Sequence, residues 1–115
     1  RRSSAASDVY KRQELLDIKL IDKTDIKNQN PKNPAYKRYF MHGTSHHLGL
    51  DVHDVGNFYE DVKAGNVFTI EPGIYIKEES LGIRLEDDIL VGNNNNINLM
   101  EKIPIQPEEI EDIMN

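Results

Sequence analysis

Cysteine is absent from all 115 residues, so neither a thiolate metal site nor a disulfide framework is available to this chain. Long apolar runs are missing as well. Nothing approaches the ~20 residues that a membrane-spanning helix needs, and no apolar signal segment opens the sequence. No membrane partner is expected, and a cytoplasmic location is the expected one. Clustered basic charge is also lacking, because 14 Lys and Arg stand against 20 Asp and Glu for a net charge of −6. Phosphate neutralisation needs clustered Lys and Arg, so nucleic acid is not an expected partner. Internal repeats are absent too. Residues 1–13, RRSSAASDVYKRQ, are small, polar and basic without apolar periodicity. We expect them to be a disordered, non-native adaptor or cloning-derived segment, with the protein proper running from 14 to 115. They carry Arg1, Arg2, Lys11 and Arg12 against Asp8, a net +3 that leaves −9 on the rest.

What the sequence does have is a dense group of histidines. All four lie between His42 and His53, inside the run MHGTSHHLGLDVHDVG from Met41 to Gly56. Neutral imidazole together with carboxylate suits a borderline-to-hard divalent cation, since nitrogen and oxygen donors supply charge and coordination without soft sulfur. A ligand set has to converge from several segments, because one strand repeats a face only every second residue. The histidine run and the carboxylate-bearing stretches EPGIYI and IRLEDDILV are three such segments. Each also has a plainer reading. Glu71 could be a surface glutamate at a strand end, Glu86 could pair with Arg84 on its own strand face, and His42 or His53 could be satisfied by backbone alone.

Local patterning places these residues. Glu14–Ile21 is rich in helix formers and reads as a helix end, whereas 22–34 is rich in Asn, Lys and Pro and reads as a loop. Tyr36, Tyr39 and Phe40 recur at helical spacing, which predicts a turn or two over 35–41 that buries aromatic rings. The stretch 43–61 suits a loop with a short strand. Residues 66–76 alternate as a strand ended or bulged at Pro72-Gly73, and 83–91 alternate again with Arg84, Glu86 and Asp88 on one face. Between them, 77–82 is long enough for an open hairpin connection. Gly92–Asn96 reads as a turn whose residues tolerate positive φ, 97–100 as a short strand, and Pro107 as the first turn of a helix.

Three motifs in order, HGTSHHLGLDVHD, VFTIEPGIYI and GIRLEDDIL, resemble the C-terminal part of aminopeptidase P, the Xaa-Pro aminopeptidase of the pita-bread metallopeptidases. The resemblance implies an α+β fold, the C-terminal part of a pita-bread (creatinase/aminopeptidase-like) domain with a curved antiparallel sheet and helices on its outer face. It implies hydrolysis of the N-terminal Xaa-Pro bond of peptides with proline in second position, by two divalent ions, manganese in this family, that lower the pKa of a bridging water. Of the metal ligands, His46 is the histidine, Glu71 a terminal carboxylate that could also accept the water's proton, and Glu86 the bridging carboxylate. His42 falls at the substrate pocket, His53 near the scissile carbonyl, and Arg84 supports the ligands. His47 is left without a role or as pocket lining, and Asp51, Asp54, Asp87 and Asp88 as structural or supporting residues. The family's site also draws two aspartates and a histidine from upstream strands. Asp17, Asp22 and Asp25 are poor substitutes for them, so this chain is expected to be an inactive fragment of a parent that could be a homo-oligomer. Prolidase, or a metal-free homologue acting as a binding module, is the alternative.

Overall fold

The computed structural model describes residues 2–56 and 60–115, with side chains from Ala6 onward. It divides into two compact units, one made of residues up to His42 together with Gly73–Arg84, the other of Gly43–Pro72 with Leu85–Asn115.

In the first unit, helix α1 spans Arg2–Asp17. Helix therefore occupies the stretch expected to lack order, and Lys11 lies over the Tyr36 and Phe40 rings, 5.4 and 4.1 Å from their centroids. No apolar stripe runs along α1, as its sequence suggested. Its packing comes from the last turn, where Leu15 and Leu16 meet the rest of the unit. Lys19 then adopts φ 61° and reverses the chain.

Helix α2, Lys23–Asn28, sits where a loop was expected. Asp22 accepts a hydrogen bond from the Asp25 N–H at 2.7 Å, while the Asp25 carboxylate accepts from the Asp22 N–H at 2.9 Å. This reciprocal pair satisfies two of the amides that a helix start leaves without partners, enough to order six residues of weak helical sequence. A 3-10 turn over Ala35–Arg38 buries Tyr36, and Phe40 follows it into the interior, as the aromatic spacing predicted. Leu15, Ile21 and Tyr36 form the core, with Leu16, Leu20, Ile26, Tyr39 and Ile74 packed around them. Strands β2 (Gly73–Ile76) and β3 (Leu81–Arg84) complete the unit as an antiparallel hairpin, closed by a 3-10 turn and by Ser80 in the left-handed region.

The second unit holds a three-stranded antiparallel sheet in the order β1-β4-β5, from Val67–Ile70, Asp87–Leu90 and Ile97–Asn98. Each long alternating stretch of the sequence is thus two strands. The first breaks after Ile70 and resumes at Gly73; the second breaks after Arg84 and resumes at Asp87. The two breaks match. Ile70 pairs with Asp87 and Gly73 with Arg84, so the residue count continues through the gap and sets Glu71 opposite Glu86. The Leu85 N–H donates to the Pro72 carbonyl at 3.1 Å within that gap.

No residue of 92–96 has positive φ, so the reason for Gly92 differs from the expected one. A Cβ on Gly92 would run into the Asn95 carbonyl, and the turn needs close approach instead. Helix α3, Pro107–Met114, starts at its proline with Glu108 and Glu109 in the first turn. Residues 57–59 of the expected loop lie outside the described residues.

Two outcomes test this architecture. Asp22→Ala removes the cap of α2 and is expected to cost about 1 kcal/mol in urea unfolding. Burial, with a hydrogen bond to Asp8, pushes the Tyr36 hydroxyl from 10.0 up to about 12. The neutral phenol is favoured in the fold, so its stabilisation is complete below pH 10 and is lost as pH rises towards 12. Unfolding measured across that window is expected to show a fall in stability that Tyr36→Phe lacks.

Candidate metal centre

The segment 44–48 is laid antiparallel along β1. Leu48 N–H donates to the Val67 carbonyl at 3.0 Å, Thr69 N–H to the His46 carbonyl at 3.0 Å, and Glu71 N–H to the Thr44 carbonyl at 2.8 Å. His47 and Phe68 form the bridge between these bonds. The register is unbroken and keeps His46 and Glu71 on neighbouring strands, two residues apart along the pairing.

One ligand atom from each of His46, Glu71 and Glu86 lies within 4.8 Å of the others. His46 Nε2 and Glu71 Oε1 are 3.3 Å apart, with side chains 18% and 12% exposed. Glu86 is exposed, at the break between β3 and β4. His46 Nδ1 lies 2.9 Å from the His47 carbonyl, which can only accept, so Nδ1 carries the ring proton and Nε2 of the neutral imidazole keeps its lone pair. That lone pair then faces a carboxylate oxygen. Two acceptors at this distance need a cation between them, a proton on Nε2 or a divalent ion, and a second carboxylate in the cluster favours the higher charge. The nitrogen and two oxygens suit zinc, manganese or a similar ion.

The other predicted residues are distributed as follows. His53 is exposed, and its ring lies 4.4 Å from the His46 ring at a 43° tilt. His42 belongs to the first unit, where its Nε2 is 3.0 Å from the Tyr75 hydroxyl and its ring packs 4.7 Å from Phe40. Arg84 is the last residue of β3, also in the first unit. His47, read as a bystander or pocket lining, packs 4.2 Å from Phe68, and a Cβ on Gly56 would strike its ring. Asp54 clamps the loop: its carboxylate accepts from Leu50 N–H at 2.9 Å and Val55 N–H at 2.7 Å, and its own N–H reaches the His47 carbonyl at 3.1 Å. Asp51, Asp87 and Asp88 stand outside the ligand cluster.

Sequence reasoning missed two residues. Tyr75 is the partner of His42, and its signal was the strand alternation that puts it on the same face as Gly73, where a Cβ would come 3.0 Å from the Tyr75 hydroxyl oxygen. Thr69, 1% exposed, is the most buried polar side chain among the described residues; its position two residues before Glu71 was the available clue.

Replacing Asp54 with Ala removes the side-chain acceptor for two loop amides. Amide exchange over 48–55 is expected to accelerate while the β1–β4 amides stay protected; uniform protection would show that the clamp does not hold the loop.

Comparison with known proteins places the chain in a family. The chain is 45% identical over 92 residues to the Xaa-Pro aminopeptidase of Escherichia coli, covering 70% of this chain and 21% of that protein. A solved structure from Bacillus anthracis, assigned as an aminopeptidase P, superposes with TM-score 0.73 at 42% identity over 90% of this chain and 23% of that one. A zinc-substituted aminopeptidase P from Escherichia coli in complex with product gives TM-score 0.62 at 43% identity, over 68% of this chain and 20% of that one. The chain therefore spans about a fifth of the length of these relatives. The α+β reading and the pita-bread fold are both supported by these neighbours. The model of metallopeptidase family M24 matches residues 4–93, which includes most of the N-terminal stretch expected to be foreign to the fold, and the chain belongs to that family.

Proposed function

We propose that this chain is the C-terminal catalytic part of a metal-dependent Xaa-Pro aminopeptidase and is inactive by itself. The observation that carries the reading is the convergence of His46 Nε2 with the Glu71 and Glu86 carboxylates, in a chain 45% identical to an Xaa-Pro aminopeptidase. His46, Glu71 and Glu86 would hold the metal, which with the complete ligand set would be two divalent ions, manganese. When bound, divalent ions acidify water and polarise a carbonyl.

The chain's own groups do the rest. Glu71, whose Oε1 lies 3.3 Å from His46 Nε2 within the ligand set, takes the proton from the attacking water. His53, exposed and with its ring 4.4 Å from the His46 ring, presents a ring N–H to the developing oxyanion. His42, oriented by Tyr75, contacts the proline side of the substrate, and Arg84 supports the carboxylate ligands. Peptides with proline in second position are the substrates, the location is cytoplasmic, and the parent assembles as a homo-oligomer. Upstream segments supply two aspartate ligands and a further histidine.

The test uses the manganese-loaded protein carrying its upstream segment. Cleavage of an Xaa-Pro-Xaa tripeptide is expected, with Glu71→Gln lowering kcat by about 1,000-fold, within the range for loss of a positioned base. Exclusive cleavage of an Xaa-Pro dipeptide would identify a prolidase instead, and measurable cleavage by the 115 residues alone would refute their incompleteness.

A further inference from the structure

Thr69 is the residue that connects two of the proposed ligands to each other. Its side chain is 1% exposed, on β1, in a position where valine would fill the same volume. The hydroxyl oxygen accepts a hydrogen bond from the His46 N–H at 3.1 Å. Its proton is thereby free to donate, and the Glu71 Oε1 lies 3.5 Å away, a long contact in the right direction. Along the backbone, Thr69 N–H donates to the His46 carbonyl at 3.0 Å. One residue thus holds the imidazole's backbone from both sides and restrains the carboxylate that faces the ring.

We infer that Thr69 is a positioning residue whose hydroxyl sets His46 and Glu71 relative to one another for divalent-cation binding. Among the described residues no buried side-chain polar atom lacks a partner, so the hydroxyl sits in a satisfied arrangement. Valine could not reproduce it. The methyl in place of the hydroxyl would leave the His46 N–H without that acceptor and take one donor from the Glu71 carboxylate, although the volume is kept. A merely structural threonine would change stability without altering the preference for the ion.

This inference rests on the metal-dependent reading above, and the experiment separates the two. Mn2+ is titrated calorimetrically into the protein carrying its upstream segment and into its Thr69→Val and Thr69→Ser variants, with amide exchange followed on the metal-free forms. Thr69→Val is expected to weaken Mn2+ binding by about tenfold or more, the usual effect of losing a group that orients a ligand. Thr69→Ser is expected to retain most of the affinity. Equal affinity of Thr69→Val and the unaltered chain overturns the inference, and so does equal weakening in both variants, which would assign the effect to the methyl group. If the unaltered chain takes up no Mn2+ at millimolar concentration, the metal reading falls. The metal-free arm then decides the positioning role: faster exchange of the His46 amide in Thr69→Val than in Thr69→Ser supports it, and equal rates overturn it. Should Thr69→Val not fold, the unaltered chain supplies the answer through its Thr69 hydroxyl proton. Slow exchange of that proton, with a cross-peak to the His46 amide, supports the inference, and rapid exchange refutes it.

Discussion

Two carboxylates set opposite each other on antiparallel strands repel, and a sheet avoids such a pair unless something of opposite charge lies between them. Glu71 and Glu86 occupy that arrangement by residue count, because the β1–β4 and β2–β3 pairings share one register across the break. Their ladder is interrupted where they stand. Pro72 has no N–H to donate, yet its carbonyl still accepts from Leu85, so the strands remain joined while the regular pleat is lost. The break frees both glutamates from the strict alternation of faces and allows their oxygens to converge with His46 Nε2.

The third donor depends on a different pairing. Segment 44–48 has no strand-like composition of its own, with one glycine just before it and polar residues through most of it. It is held extended because His46 and Leu48 each share a backbone hydrogen bond with β1, and Thr44 shares one with Glu71 just past its end. A slip of one residue would turn His46 to the opposite face. His47 resists that slip, since its ring is packed on Phe68 and its carbonyl serves both the His46 ring and the Asp54 amide. The packing of His47 therefore helps determine where His46 points.

Much of this was legible in the sequence because side-chain chemistry and spacing are visible there. The strand alternation, the buried aromatics around Tyr36 and the helix at Pro107 could all be read residue by residue, whereas the choice of His46, Glu71 and Glu86 came from the resemblance. What could not be read was relational. The Asp22–Asp25 capping box has a local signature, yet it was hidden in an Asn- and Lys-rich stretch whose composition argues for a loop. Helix α1 has no apolar stripe, so periodicity had nothing to detect, and only its last turn carries packing residues. The division of each alternating stretch into two strands left no mark either, because β1 and β2 keep the same alternation on either side of Glu71-Pro72. Thr69 passed as an ordinary strand threonine until its hydroxyl had a partner on another segment.

The two units are stabilised by different means, and this bears on how a cation would act. The buried apolar side chains found among the described residues, Leu15, Ile21, Tyr36 and Phe40, all belong to the first unit. In the second, the side chain excluded from water among the described residues is Thr69, and order comes from backbone pairing and local clamps. A unit with so little apolar burial gains little from the hydrophobic effect and retains the repulsion between Glu71 and Glu86. In the function proposed above, cation binding there would offset that repulsion and tie three segments together, so its free energy would contribute to folding. Binding the ion and ordering the sheet would then be coupled.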